Sequence, residues 1–179
     1  SVIPAEAFFS DCVILVEGPS ELIFYNTLAK QIGIDLDRLN ISILNVGGVG
    51  FIPYIDILNA LSIHWIARTD NDITKVPNSD GKYQFSGVNR AVNFLYYKKN
   101  LKEEDKKEVE RLKNTFPVIN DRRNITGTHE NFAKIKKILE NYGIFLAGID
   151  LEEDLYKSSI NSDLKDFYFP CQEDEEIVK

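Results

Sequence analysis

The sequence predicts an α/β fold in which a mostly parallel central sheet is flanked by helices. Two observations carry this. Short apolar runs rich in Val and Ile recur along the chain, as in strands buried on both faces of a parallel sheet. Between them lie segments of helical period, opened by Pro or Ser and closed by Gly, so that strand and helix alternate.

The first run is Val13-Ile14-Leu15-Val16, preceded by a lead-in over 5–10 in which Phe8 and Phe9 are expected to pack on the sheet. Gly18 and Pro19 turn the chain, and a helix is predicted from Ser20 to Gln31 on the apolar spacing of Leu22, Phe24, Tyr25 and Leu28. Gly33 suits its C-terminal cap. Ile41 to Asn45 is the second strand. The Gly47-Gly48-Val49-Gly50 stretch after it is neither a dinucleotide-binding nor a P-loop pattern, so a tight turn is the better reading than a phosphate cradle. Phe51 to Leu61 is an amphipathic helix with Pro53 in its first turn. The third strand starts at His64-Trp65, both taken as packing or surface residues, and runs into Asp70.

From about residue 75 to 142 a helical insertion is expected. It has a Pro77-Asn78-Ser79-Asp80-Gly81 loop, helices near 88–97, 102–113 and 129–141, and a loop over 115–128 carrying Arg122-Arg123. Its basic side chains are candidates for phosphate contacts, against the plainer alternative of a solvated charged face. Gly143 to Ile149 forms the fourth strand, followed by the acidic Asp150-Leu151-Glu152-Glu153-Asp154. A polar tail closes the chain.

Composition narrows the function. With 179 residues the chain is one domain of ordinary size. Two cysteines, far apart and without metal-ligand spacing, fit a reducing, cytoplasmic setting. No apolar run reaches the length of a membrane span. The net charge of −7 argues against a free-standing nucleic-acid binder, unless bound cations offset the acid or other domains grip the nucleic acid. The absence of any Met leads us to expect a piece of a longer protein.

The acids carry the chemistry. Glu17 ends the first strand and Glu21 falls in the first turn of the next helix; Asp70 and Asp72 end the third strand as Asp-x-Asp. Alternate residues of an extended chain share a side, so the last two can face one hard cation such as Mg²⁺. Arg68 points the same way and is expected to pair with them. The alternatives are that Glu21 only favours a helix N-terminus and that Asp-Asn-Asp makes a turn. For Asp150 the alternative is an N-cap with dipole-favourable acids behind it.

The ordered series of strand, Glu17, Gly18, two residues, Glu21, helix, and then strand, Asp70, x, Asp72, resembles the toprim domain of topoisomerases, primases and OLD-family nucleases, a Rossmann-like fold. The late Asp150-Leu151-Glu152 resembles the acidic motif of the OLD (overcoming lysogenization defect) nucleases. Glu153 competes with Glu152 because the register is open by one, and Lys179 is a possible match to a lysine beyond that motif.

This resemblance implies a DNA endonuclease or nickase using two Mg²⁺ or Mn²⁺ ions, with Glu17, Asp70, Asp72 and Lys179 in catalysis. The metal ligands would be Glu17, Glu21, Asp70, Asp72, Asp150 and Glu152 or Glu153. Within the family the chain most resembles nuclease subunits of Gabija-type anti-phage systems. That implies a double-stranded DNA substrate, an N-terminal ABC-type ATPase in the same chain, a helicase-like partner subunit and a homo-oligomer. A one-ion toprim enzyme of the topoisomerase or primase kind, or a non-catalytic assembly domain, stands as the alternative.

Overall fold

A computed structural model describes residues 5–116 and 131–158. A short 3-10 helix (Ala5–Phe9) leads into β1 (Cys12–Val16), α1 (Pro19–Gln31), β2 (Ile41–Asn45), α2 (Ile52–Ala60) and β3 (His64–Thr69). A hairpin of β4 (Ile73–Lys75) and β5 (Tyr83–Phe85) follows, then α3 (Ser86–Leu95), α4 (Glu103–Lys113), α5 (Phe132–Asn141), β6 (Ile144–Leu146) and α6 (Leu151–Tyr156).

The central sheet is wholly parallel, in the order β2-β1-β3-β6. The chain steps from β1 to one side for β2, then back past β1 for β3. Right-handed crossovers therefore send α1 and α2 to opposite faces, and the order reverses between β1 and β3. Ligands of open α/β sheets bind at such a reversal, outside the carboxyl ends of the strands.

Register decides which side chains share a face. Val13 lies level with Trp65, Leu15 with Leu44 and Ala67, and Ala67 with Ile144. These residues form one core with Phe51 before α2, Ile55 of α2, Val88 and Val92 of α3, and Ile135 and Leu139 of α5. The other face is thinner. Ile14 and Ile66 are half-buried there beside Tyr25 of α1, and Phe145 is 42% exposed.

The lead-in departs from expectation. Ala7 is buried, whereas Phe8 and Phe9 turn outward, Phe9 at 79% exposure, because a 3-10 turn presents its side chains in three directions and only one meets the sheet. The fourth strand is shorter than its apolar run, since Gly143 at φ +70° leads into it and a bend begins at Gly148. The turns at Gly33, Gly47 and Gly48 do take the left-handed backbone that glycine permits. Arg122, Arg123, His129 and Lys179 lie outside the described residues.

Candidate active site

β1, β3 and β6 are neighbours, so their carboxyl ends deliver side chains side by side. Glu17 follows β1 directly. Three donors converge on its Oε1: the Thr69 hydroxyl at 2.5 Å, the Asp70 amide at 2.9 Å and Arg90 Nη2 at 2.7 Å. Glu21, at the third position of α1, reaches back to accept the Gly18 amide at 3.1 Å, the returning half of a capping box. Its other oxygen takes Arg68 Nη1 at 3.3 Å.

Two guanidinium groups organise the acids. Arg68, 6% exposed, donates to Asp70 at 2.9 Å, to Glu21, and to Asp154 at 3.4 Å. The expected pairing of Arg68 with the acids is present. Arg90 comes from α3. Its Nη2 meets Glu17 Oε1, Asp72 Oδ2 at 2.8 Å and the Asp70 carbonyl at 2.9 Å, and its Nε donates to Thr69 Oγ1 at 2.7 Å.

Gly87 brings Arg90 there. It sits one helical turn before Arg90, on the same side of α3, and its amide donates to the Asp72 carbonyl. A Cβ on Gly87 would stand 2.5 Å from the Asn71 Cα and the Asp70 oxygen. Only glycine lets the helix approach so closely.

A third segment closes the edge. The Asn71 backbone amide donates to the Ile149 carbonyl and its side-chain amide to the Gly148 carbonyl, which ties the Asp70–Asp72 loop to the start of α6. Asp150 caps α6 by accepting the Glu153 amide at 2.8 Å. Glu152 is exposed, and Glu153 pairs with Lys157 through Oε1. The other oxygen of Glu153, like Oδ1 of Asn71, is buried without a hydrogen-bond partner among the described residues.

The structure thus gathers Glu17, Glu21, Asp70 and Asp72 around two arginines. Among the described residues no hydrogen bond or ion pair joins Asp150 or Glu152 to them. Three participants were missed in the sequence: Thr69, Arg90 and Asp154. Arg90 lies in an amphipathic helix twenty residues from Asp70, where spacing gives no signal, and Asp154 was hidden among neighbouring acids.

Electrostatics decide what the edge can hold. Among the described residues no group of three or more His, Cys, Asp or Glu side chains is arrayed as metal ligands. Arginines stand between the carboxylates instead. Yet among the described residues five carboxylates, those of Glu17, Glu21, Asp70, Asp72 and Asp154, face only two guanidinium groups. Three negative charges are left over in a half-buried cluster. Burial pushes the Asp70 carboxyl up to about 6; Arg68 opposes this, and Glu17 and Glu21 add to it. An over-anionic set of oxygen donors fits a hard divalent cation.

The chain is similar to known proteins in sequence and in fold. Residues 8–72, which span β1 to Asp72, match the family described as "Overcoming lysogenization defect protein-like, TOPRIM domain". The chain is 34% identical over 173 residues to Endonuclease GajA of Bacillus cereus (strain VD045), covering 90% of this chain and 28% of that protein. It therefore spans little more than a quarter of that relative.

Among solved structures, the C-terminal region of the Xanthomonas campestris pv. campestris OLD protein superposes with a TM-score of 0.58 at 24% identity. That match covers 96% of this chain and 67% of the other. The C-terminal region of the Burkholderia pseudomallei OLD protein gives 0.57 at 23%, covering 88% and 63%. These two likenesses show the fold. The family match covers the strands that carry Glu17, Asp70 and Asp72, so residues 8–72 are similar to the toprim domain of the OLD-like family.

Proposed function

We propose that the chain is the catalytic domain of a Mg²⁺- or Mn²⁺-dependent DNA endonuclease that nicks duplex DNA by phosphodiester hydrolysis. The observation that carries this is the surplus of carboxylates over guanidinium groups at the switch point of the sheet. The likeness to an endonuclease over 90% of the chain supports it.

Glu17, Glu21, Asp70 and Asp72 would hold a first ion, and Asp150 with Glu152 or Glu153 a second. Glu153 is favoured of that pair, since one of its oxygens is buried without a partner among the described residues. Bound there, two ions would activate the attacking water and stabilise the leaving oxygen. The residues of the chain do the rest. Thr69 and the Asp70 amide fix Glu17, and Arg68 holds Asp70 against Glu21. Lys179 is kept as a further catalytic candidate.

The wider proposal is that residues 1–179 act as one catalytic unit with an insertion at about 75–142. The unit would serve a cytoplasmic anti-phage nuclease with an N-terminal ATPase, a helicase-like partner and a homo-oligomeric parent. The share of Endonuclease GajA that the chain spans supports a longer parent.

One observation favours the one-ion toprim alternative: Asp150 is engaged as a helix cap. A supercoiled-plasmid nicking assay on Glu17→Gln, Glu152→Gln and Glu153→Gln separates the readings. Glu17→Gln should lower the rate by at least about a hundredfold, as should one of the other two, with partial recovery in Mn²⁺. If Glu17→Gln nicks like wild type, the nuclease site is wrong. If only Glu17→Gln is impaired, the chain uses one ion.

A further inference from the structure

Arg90 is bound in an unusual way for an ion-pairing arginine. A guanidinium Nη2 carries two hydrogens, yet three oxygens crowd it at 2.7, 2.8 and 2.9 Å: Glu17 Oε1, Asp72 Oδ2 and the Asp70 carbonyl. It therefore serves as a centre of positive charge ringed by oxygen, rather than as a set of directional bonds. Among the described residues no other cation pairs with Glu17 or Asp72, because Arg68 is committed to Glu21, Asp70 and Asp154. The side chain is anchored independently, through Nε on Thr69 Oγ1.

We propose that Arg90 is a built-in counter-cation. It holds Glu17 and Asp72 together in the metal-free chain and competes with a divalent cation for the same two carboxylates. When the cation binds, the Nη2 end gives up Glu17 and Asp72 while Nε stays on Thr69. Arg90 is then a positioning residue with two opposed effects: it keeps the acidic edge folded without metal, and it weakens metal binding. This inference rests on the metal-binding reading above.

The opposed effects make the test two-sided. Mn²⁺ is titrated by calorimetry into wild type, Arg90→Gln and Arg90→Lys, and each is melted in EDTA and in saturating Mn²⁺. Arg90→Gln should melt several degrees lower than wild type in EDTA. It should bind Mn²⁺ at least about tenfold more tightly, and gain more in melting temperature from the metal. Arg90→Lys, which keeps the charge without the fork, should fall between. A folded Arg90→Gln with unchanged or weaker Mn²⁺ affinity, or with the wild-type melting point in EDTA, overturns the competition.

If wild type itself binds no Mn²⁺, the metal reading fails and the competition with it, an outcome told apart by the silent wild type. Should Arg90→Gln not fold, the wild type still decides through its arginine Nη–H resonances, with Arg90 assigned by its loss in Arg90→Lys. Saturating Mg²⁺ must shift the Arg90 signal, and a bound metal that leaves it in place rules the exchange out.

Discussion

Asp70 holds its proton more tightly in the folded chain than in the unfolded one. Burial is the main cause, partly countered by Arg68, and the carboxyl rises from 3.8 to about 6. A carboxyl with a raised folded pKa contributes stability that is complete below about 3.8 and lost as the pH climbs through about 6. The metal-free chain should therefore lose stability across that window on Asp70's account. Asp70→Asn should flatten that part of the profile and raise the melting temperature at neutral pH by a few degrees, since about 1 kcal/mol moves a domain of this size by roughly 2–4 °C. Melts in EDTA across the window check this, and a lower melting point for Asp70→Asn at neutral pH would count against it. Divalent cations bind the ionised form, so their affinity should fall as the pH drops through the same window. The sequence marks Asp70 as an acid after an apolar strand. It does not show the burial that shifts it, because burial is made by α3 and by the segment before α6.

At the scale of elements, the approach of α3 to the acidic loop depends on Gly87. Its added Cβ would meet backbone atoms of Asp70, Asn71 and Asp72 at 2.5 to 2.6 Å, and backbone cannot swing aside as a side-chain tip can. Gly87→Ala should push α3 outward and cost on the order of 1–3 kcal/mol, the usual range for overpacking. Because Arg90 travels with the helix, its hold on Glu17 should loosen as well. Urea denaturation measures the loss, and wild-type stability would mean that α3 does not lie so close. Gly87 was legible only as a small residue near a helix start. The hairpin before it was not legible at all, since β4 and β5 are three residues each, too short for an alternating pattern to stand out. β1, β2 and β3, by contrast, sit where their apolar runs place them, because strands buried on both faces write their hydrophobicity directly into the chain.

For the molecule as a whole, the fold class was readable because strand and helix alternate and every central strand pairs in parallel. The site was readable as far as acids at strand ends with Arg68 beside them, whereas Arg90 comes from tertiary placement. That placement governs the order of folding. The Asp70 amide reaches Glu17 across 53 positions, the Asn71 side chain reaches Gly148 across 77, and Arg68 reaches Asp154 across 86. Chain entropy must be spent on closing those long loops before any such contact returns energy. The carboxyl edge should therefore close after the rate-limiting step, once β1, β2 and β3 have already docked. Interactions absent from the transition state change the lifetime of the folded form and not the speed of reaching it. Mn²⁺ at this edge should then slow unfolding in urea and leave the refolding limb of the chevron where it was; a faster refolding limb would place the acids inside the folding nucleus.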